Sequence, residues 1–225
     1  MTIKIFWENP YLAELETTVK TVERNRITLA ETIFYAFSGG QESDTGTIGG
    51  YSVLKAEKAG KEIFYTLEDT HHLKAGDPVK ISIDWARRYQ LMRLHFAAEI
   101  VLELVCQRFP EVVKIGAHIA QDKARIDFEW NQNISPFLPE LQNIAQRIID
   151  RNQDITSAFS DPENEIRYWK TEEFSQVPCG GTHIKNTGEM GTIRLKRVNP
   201  GKGKERIEIM VGATGIEPVT STMST

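Results

Sequence analysis

The chain has 225 residues, of which 40% are hydrophobic and 26% charged, and its net charge is −4. This length is enough for one large domain or two modest ones, each with a buried core. The acidic balance argues against a protein that coats nucleic acid non-specifically, and no apolar run approaches the roughly 20 residues that span a bilayer.

The start of the chain, MTIKIFWENPYLAELE, lacks the apolar stretch of a signal peptide. The chain also has only two cysteines, which cannot form a disulfide scaffold. We therefore expect a cytoplasmic protein with no membrane partner, and nothing in the sequence indicates an obligate protein partner.

The first 84 residues predict mostly β-structure, because short runs rich in β-branched residues alternate with turns. Several short strands with turns at close intervals are typical of a small barrel or sandwich. The predicted strands are 3–7, 15–22, 27–35, 47–57, 61–67 and 80–84.

The pattern changes at Asp84, a good N-cap that precedes a run of helix-forming residues. Helical periodicity predicts a helix over 85–108, which Pro110 ends, and a second helix that begins at Pro136. These helices alternate with further strands, so we predict an α+β fold in which helices pack on an antiparallel sheet. The later strands are predicted at 112–120, 124–130, 155–159, 166–169, 191–198 and 206–211.

The domain boundary is predicted near Asp84, which gives domains at 1–84 and 85–211. Residues 212–225, GATGIEPVTSTMST, have no hydrophobic period and little to bury. They predict a disordered tail.

A glycine-containing polar loop, SGGQESDTG at 38–46, interrupts the strands of the first domain. Its glycines let the backbone approach another group closely, and Gln41 offers both a donor and an acceptor. We expect the loop to face the cleft of the second domain and to bind a substrate. A plain polar loop between strands is the alternative.

A possible metal site begins with Cys179 and His183, since thiolate and imidazole are ligands that Zn²⁺ prefers. Gly180 and Gly181 between them let the backbone curl and direct both side chains to one point. A turn with an incidental cysteine and histidine is the alternative.

The first predicted helix adds His95 and Glu99, which lie on one face because they are four residues apart. Alone, they are also consistent with an ordinary surface pair. Together with Cys179 and His183 they supply three typical ligands, and Glu99 is either a fourth ligand or a base beside an open position. Cys106 lies about 16 Å further along the helix axis, so it is predicted to be a buried structural thiol.

Basic residues crowd into one late segment, in which Glu205 is the only acid. This concentration predicts contact with a phosphate backbone, and a solvated charged hairpin is the alternative. Arg87, Arg88 and Arg93 extend the predicted surface. The basic residues of the late segment are Arg194, Lys196, Arg197, Lys202, Lys204 and Arg206.

Taken together, these features resemble the free-standing alanyl-tRNA editing proteins, which are homologous to the editing domain of alanyl-tRNA synthetase. The resemblance covers about residues 5–211. It implies a small N-terminal β-barrel, an α+β editing domain, one Zn²⁺ per chain and tRNA as the partner. It also implies hydrolysis of the ester in mischarged tRNA(Ala), chiefly seryl, with glycyl as a second candidate. The stretches that carry it are FYAFSGGQESDTG (34–46), IDWARRYQLMRLHFAAE (83–99), ARIDF (124–128), CGGTHIKNTGEMG (179–191) and GKGKERIE (201–208).

The metal motif of this family, a His-x₃-His helix with Cys-x₃-His, implies that His95, Cys179 and His183 are ligands. Glu99 stands where the family has its second histidine, so ligation is favoured over a role as a base that orients or deprotonates water. Phe96 stands where the family usually has a threonine linked to recognition of the misplaced serine.

Other roles implied by the resemblance concern the substrate. Gln41 is expected to position water or the terminal ribose, and Thr182 to bind the amino-acid moiety, so both join Glu99 as catalytic candidates. Phe96, Gly180 and Gly181 are assigned to substrate binding. The surface expected to hold tRNA phosphates consists of Arg87, Arg88, Arg93, Lys202, Lys204 and Arg206.

Three other functions remain open. Gly39-Gly40-Gln41 matches the tripeptide of release factors, which would indicate peptidyl-tRNA hydrolysis but leaves the Cys-x₃-His stretch unexplained. The substitutions at Phe96 and Glu99 are compatible with a non-catalytic tRNA-binding zinc module. They are also compatible with editing of another aminoacyl-tRNA or of a free aminoacyl ester.

Overall fold

The computed structural model describes residues 1–212, which form an α+β fold with two α-helices and mostly antiparallel sheets. The fold class predicted from the sequence is confirmed. Of the predicted tail, Gly212 is hydrogen-bonded to Thr192, and the remainder, 213–225, lies outside the described residues. No helix within residues 1–212 is long and apolar enough to cross a membrane.

Six antiparallel strands of the first half pair in a ring and form a closed barrel around an apolar core. A short parallel pair, β1 (Ile3–Lys4) and β4 (Glu31–Thr32), lies beside it. The barrel strands, which pair in the order β2-β3-β7-β6-β5-β8, are β2 (Glu14–Glu23), β3 (Arg26–Leu29), β5 (Gly46–Ile48), β6 (Tyr51–Ala59), β7 (Glu62–Leu67) and β8 (Pro78–Ile83).

Three predicted strands of this half are corrected. The strand predicted at 27–35 is divided at Ala30 into β3 and β4 and ends at Thr32. Most of the strand predicted at 3–7 is a 3₁₀ turn, Ile5–Trp7. The strand predicted at 47–57 is interrupted at Gly49 and Gly50, whose φ angles of 59° and 84° form a hairpin turn between β5 and β6. Glycine is favoured in this conformation because it has no Cβ.

The helix α1 (Trp85–Arg108) has the bounds predicted from the sequence. The Asp84 side chain caps it by accepting a hydrogen bond from the Arg87 N–H. The helix is central, because its side chains from 91 to 98 are all buried. Cys106, however, lies in the exposed last turn, so the expectation that it is a buried structural thiol was wrong.

A four-stranded antiparallel sheet, in the order β14-β15-β10-β9, packs against α1 and α2 (Leu138–Asp150). A second sheet has three strands in the order β11-β12-β13. The loop that carries Cys179 follows β13 in the chain, and β13 was not predicted from the sequence. The strands are β9 (Val113–Ile119), β10 (Ala124–Glu129), β11 (Thr156–Asp161), β12 (Ile166–Lys170), β13 (Gln176–Pro178), β14 (Ile193–Val198) and β15 (Lys204–Val211).

The loop at 38–46 fastens the barrel to the second half. Gly40 adopts a φ of 89°, and a Cβ there would lie 2.5 Å from the Ala117 carbonyl oxygen on β9. This close approach lets Gly40 and Glu42 exchange backbone hydrogen bonds with Ile119. Gln41, held between them, therefore points into the second half of the molecule, where it meets Thr182.

Candidate metal centre

Three side chains with metal-ligating atoms meet where α1 approaches the loop after β13. Cys179 Sγ lies 3.5 Å from His95 Nε2 and 3.3 Å from His183 Nε2. One ligand atom from each residue lies within 4.8 Å of the other two, and no other such group of three occurs among residues 1–212. Both histidines are buried and Cys179 is half-buried. The structure thus brings together the three ligands that the sequence predicted.

The loop that carries Cys179 and His183 lies directly against the first histidine. A Cβ added at Gly181 would lie 1.9 Å from His95 Cε1, whereas a Cβ at Gly180 would meet nothing within 4 Å. The two loop carbonyls are also held: Trp7 Nε1 donates to that of Gly180 and Arg167 Nη1 to that of Gly181. The absent side chain at 181 therefore lets His95 reach the loop.

Hydrogen bonds on the opposite ring nitrogens fix both imidazoles. His183 Nδ1 lies 2.9 Å from the Ser157 hydroxyl oxygen, and His95 Nδ1 lies 3.3 Å from the Thr182 carbonyl oxygen. Such partners orient the ring and leave Nε2 free to act as a ligand. Both Nε2 atoms consequently face Cys179.

The titratable groups of the cluster shift one another's pKa values because they are buried close together. Burial raises the pKa of the Cys179 thiol, but the imidazoles of His95 and His183 outweigh burial and lower it to about 6. Burial lowers the pKa of His95, yet Cys179 and Glu99 outweigh that effect and raise it to about 10. The thiolate, which is the form that binds metal, is therefore favoured at neutral pH.

The structure places Glu99 beside the three ligands. Its Oε1 lies 3.6 Å from His95 Nε2, and its Oε2 accepts a 3.1 Å hydrogen bond from Trp169 Nε1. Burial raises the pKa of Glu99, but His95 and Trp169 lower it to about 2, so the group is a carboxylate. Its oxygens do not join the set of ligand atoms within 4.8 Å of one another. The assignment of Glu99 as a fourth ligand stays a prediction.

Gln41 and Thr182 bind each other across the two halves of the molecule. Gln41 Nε2 donates to Thr182 Oγ1 at 2.9 Å, and Gln41 Oε1 accepts from the Thr182 N–H at 3.4 Å. Both residues are about 99% buried. The pair therefore braces the loop that carries Cys179, and the catalytic roles predicted for the two side chains stay predictions.

Phe96 does not line a cleft, which corrects its assignment to substrate binding. It is fully buried, with its ring centroid 5.0 Å from that of Trp169 and 5.6 Å from that of His183. Phe96 lies in the part of α1, residues 91–98, in which every side chain is buried. Phe96 therefore packs against the His183 ring from the interior of the protein.

Two of the predicted phosphate-binding arginines are also corrected, because they are buried. Arg88 is fully buried and forms an ion pair with Asp44, and Arg93 is 95% buried and donates to the backbone carbonyls of Glu189 and Met190. Such side chains stabilise the interior and do not reach a phosphate.

The other predicted phosphate contacts remain on the surface. Arg87 is half-exposed and paired with Glu42, and Arg206 is half-exposed and paired with Asp127. Lys202 and Lys204 are exposed at the start of β15.

The small sheet contributes residues that the sequence did not reveal. Ser157 on β11 contacts His183, while Arg167 and Trp169 on β12 contact Gly181 and Glu99. These contacts join residues 14 to 70 positions apart in the chain, so spacing alone cannot detect them. One signal was present, since Arg167 and Trp169 are two positions apart in β12 and alternate residues of a strand share one face.

The residues present fit zinc. Two imidazoles and one thiolate are a donor set that zinc prefers, and three protein ligands are typical of catalytic zinc sites. The His95 ring occupies the position that a Cβ at Gly181 would take, and this close approach keeps the three ligand atoms within reach of one centre. A cavity of about 160 Å³ lies next to this group, with Ser157, Gly181 and His183 in its wall.

Two family models match parts of the chain. The model for class II (A) tRNA synthetases matches residues 5–87. The model for the second additional domain of threonyl- and alanyl-tRNA synthetases matches residues 166–208, which include Cys179 and His183. The metal centre thus lies partly within the second matched region.

Curated relatives match nearly the whole chain. The alanyl-tRNA editing protein AlaX-M of Pyrococcus horikoshii is 32% identical, over 93% of this chain and 97% of its own length. The AlaX-M protein of Saccharolobus solfataricus is also 32% identical, over 92% of this chain and 98% of its own length. An alanine–tRNA ligase of Methanococcus maripaludis is 30% identical over 96% of this chain, which spans only 26% of that enzyme.

Proposed function

Because the chain belongs to the alanyl-tRNA editing proteins of the AlaX-M type, we propose that it hydrolyses the ester of mischarged tRNA(Ala), chiefly Ser-tRNA(Ala), with the help of zinc. The observation that carries this proposal is the cluster of His95, Cys179 and His183 beside an open cavity. Such a ligand set leaves a coordination position for chemistry.

His95, Cys179 and His183 would hold the zinc ion, which when bound supplies a Lewis acid toward the ester carbonyl. Ser157 and the Thr182 carbonyl keep the Nε2 atoms of the two imidazoles turned toward Cys179, where they would hold the ion. The lowered pKa of Cys179, about 6, keeps the thiol ionised as a ligand at neutral pH.

Glu99 is proposed to accept a proton at Oε1 from the attacking water. Its other oxygen is engaged by Trp169, which orients the carboxylate, and its Oε1 faces the ligand cluster. A base must lie within hydrogen-bond reach of the proton that it takes, and this position is adjacent to the ligand atoms. Ligation of the metal by Glu99 is the alternative. The metal content of a Glu99→Gln variant distinguishes the two roles.

Substrate selection is proposed to depend on the loop from Gly180 to His183, because it borders both the metal centre and the cavity. Thr182 is held by Gln41, so the pair is proposed to fix the loop against the amino-acid moiety. Phe96 is proposed to act indirectly through His183, since it packs against that ring from the interior.

Acceptor-stem phosphates are proposed to meet the exposed lysines Lys202 and Lys204.

We also propose that the chain has two domains, 1–84 and 85–211. Two separate clusters of buried apolar side chains, one in each range, support this division. A cytoplasmic location is part of the same proposal.

The experiment is a deacylation panel with metal analysis on the same preparation. The protein should carry about one equivalent of zinc and release serine from Ser-tRNA(Ala) faster than alanine from Ala-tRNA(Ala). Cys179→Ala should lose both zinc and activity. Cys106→Ala is the matched control, because this other cysteine is exposed at the end of α1 and should leave both unchanged.

Other outcomes would redirect the proposal. Full activity and metal content in Cys179→Ala would exclude the proposed centre. Release of another amino acid in preference to serine would indicate editing of a different aminoacyl-tRNA. Binding of tRNA without turnover would indicate a non-catalytic zinc module.

A further inference from the structure

Trp169, on β12, binds the carboxylate that lies beside the three metal ligands. Its Nε1 donates a 3.1 Å hydrogen bond to Glu99 Oε2. Apart from Trp169 and His95, no residue among 1–212 forms a hydrogen bond or an ion pair with this carboxylate. The position of the Glu99 carboxylate relative to the ligands therefore depends on the Trp169 N–H.

Glu99 is close enough to the ligands to compete for a metal ion. Two nitrogen or oxygen ligands of one tetrahedral zinc ion lie about 3.3 Å apart, because each bond is about 2.0 to 2.1 Å long. Glu99 Oε1 lies 3.6 Å from His95 Nε2, yet its oxygens are outside the group of ligand atoms that lie within 4.8 Å of one another. A rotation of the Glu99 side chain would bring an oxygen into this group, and the hydrogen bond to Trp169 opposes that rotation.

The Trp169 indole is itself fixed on every side. It is fully buried, its ring stacks on Phe174 with the centroids 6.2 Å apart, and the Phe96 ring meets it edge-on at 5.0 Å. Its strand is the middle one of the small sheet, so Trp169 is paired with Ser157 on β11 and also with β13. The N–H is therefore held in place and cannot follow a carboxylate that turns toward the ligands.

The same level of the small sheet also holds one of the metal ligands. Ser157, which is directly opposite Trp169, lies 2.9 Å from His183 Nδ1 through its hydroxyl oxygen. Phe96, which packs on Trp169, also packs on the His183 ring. Two paired residues of this sheet thus orient a ligand and restrain the neighbouring carboxylate at the same time.

We propose that Trp169 is a positioning residue that keeps Glu99 out of the coordination sphere of the metal and so leaves one coordination position open. This inference rests on the proposed function, because an open position matters only where the metal serves catalysis. Three protein ligands with one open position are typical of catalytic zinc, whereas four protein ligands close a structural site. Held away from the metal, Glu99 stays beside the open position as a base.

The test removes the N–H and measures zinc affinity and kinetics separately. Trp169→Phe keeps a buried ring, and the released Glu99 should become a fourth ligand. Zinc affinity, measured by competition with a chelator of known affinity, should therefore rise about tenfold or more. The kcat should fall at least about tenfold, with KM changed little, because the base and the open position are lost together. A merely structural role would instead lower zinc affinity, and unchanged or weaker affinity would overturn the inference.

A second substitution shows whether the gain in affinity comes from the carboxylate. The double variant Trp169→Phe/Glu99→Gln should bind zinc no more tightly than Glu99→Gln alone, because no carboxylate remains to join the ligands. A gain that persisted without the Glu99 carboxylate would contradict the inference.

Trp130→Phe is the matched control. Trp130 is also a buried tryptophan of the second half and packs against Phe109 and Phe137, but its Nε1 has no hydrogen-bond partner among residues 1–212. Loss of this N–H should change neither zinc affinity nor kcat. If Trp169→Phe failed to fold, benzothienylalanine at position 169 would replace it, since this analogue keeps the shape of the indole and has sulfur in place of the N–H.

The two measurements also separate this inference from the proposed function. Zinc affinity is measured without tRNA, so a wild-type protein that bound zinc but deacylated no tRNA would refute the proposed function, and the affinity of Trp169→Phe would still decide the role of Trp169. If kcat fell in Trp169→Phe while zinc affinity stayed unchanged, Trp169 would only orient the base, and the inference would be wrong.

Discussion

Glu99 is the residue whose role most affects the chemistry of the metal centre. One of its oxygens is occupied by Trp169, and the other lies 3.6 Å from His95 Nε2. A carboxylate in this position can attract the metal or accept a proton, but one hydrogen bond already fixes its orientation without any metal. We therefore propose that Glu99 acts as a base, although the family motif alone favours Glu99 as a metal ligand.

Replacement of Glu99 by glutamine should separate these roles. Since Gln keeps an oxygen for Trp169 but cannot accept the proton, we expect Glu99→Gln to retain about one zinc and to lose about 10²- to 10⁴-fold in kcat. The measurements are metal content and single-turnover deacylation. Glu103→Gln, four residues further along α1, is the control and should behave as wild type. Loss of zinc from Glu99→Gln would instead identify a ligand.

The loop from Cys179 to His183 is the element whose backbone makes the site possible. Its glycines are adjacent but occupy different surroundings, because a Cβ would clash with the buried ring of His95 at Gly181 and would meet open space at Gly180. His95 has little room to move away, since every side chain of α1 from 91 to 98 is buried. The requirement for glycine at 181 therefore arises from packing against α1.

Alanine at each glycine tests this difference directly. We expect Gly181→Ala to displace His95 and weaken zinc binding about 10- to 100-fold, as loss of ligand orientation typically does. Gly180→Ala should bind zinc as wild type does, because its Cβ has room. Competition with a chelator of known affinity measures both. Equal affinities would show that the loop and helix adjust to the added methyl group.

A second element, the N-terminal turn of α1, holds the two halves together through Arg88. Its guanidinium donates to Asp44 of the glycine loop and to the Ile33 and Pro10 carbonyls. Both members of the ion pair have fully buried side chains. Removal of one charge leaves the other buried without a partner, which lowers the free energy of unfolding more than loss of an exposed pair does.

Asp44→Asn should therefore lower the free energy of unfolding by about 3 to 5 kcal/mol. The exposed pair of Arg151 and Glu173 supplies the control, and Glu173→Gln should change the stability very little. Urea unfolding of both variants gives the comparison. A small effect of Asp44→Asn would mean that water or a backbone shift compensates the buried guanidinium.

The helices could be predicted from sequence because their signals are local. Asp84 as N-cap and Pro110 as breaker fix the bounds of α1 within a few residues. The burial of Arg88 and Phe96 could not be predicted in this way, because it depends on residues far away in sequence, namely Asp44 for Arg88 and Trp169 and His183 for Phe96. Basic residues in a first turn indicate a surface only where they lie on a free face of the helix, which holds for Arg87 but not for Arg88.

At the scale of the whole molecule, the metal centre is assembled from parts of the chain that lie far apart. The ligands could be predicted from residue chemistry and family resemblance, whereas Ser157, Arg167 and Trp169 depend on the pairing of β11 with β12. The barrel contributes Gln41 and the 3₁₀ turn contributes Trp7. The site therefore requires both halves, although each half has its own apolar core.

The net charge of −4 makes the position of basic residues decisive for tRNA binding. An acidic molecule repels tRNA unless its cations are grouped, and Lys202 and Lys204 are exposed near the start of β15. Each lysine that neutralises a phosphate releases counterions and steepens the salt dependence of binding. The salt dependence thus reports how many of these lysines contact the tRNA.

The double variant Lys202→Ala/Lys204→Ala should weaken binding of every tRNA to a similar extent. The slope of log K against log salt concentration should become shallower by about 1 for each lysine, because two phosphate contacts are lost. Lys55→Ala/Lys80→Ala removes the same charge from exposed barrel strands and is the control. If both double variants changed the slope equally, binding would depend on total charge, and the loop before β15 would have no special part in it.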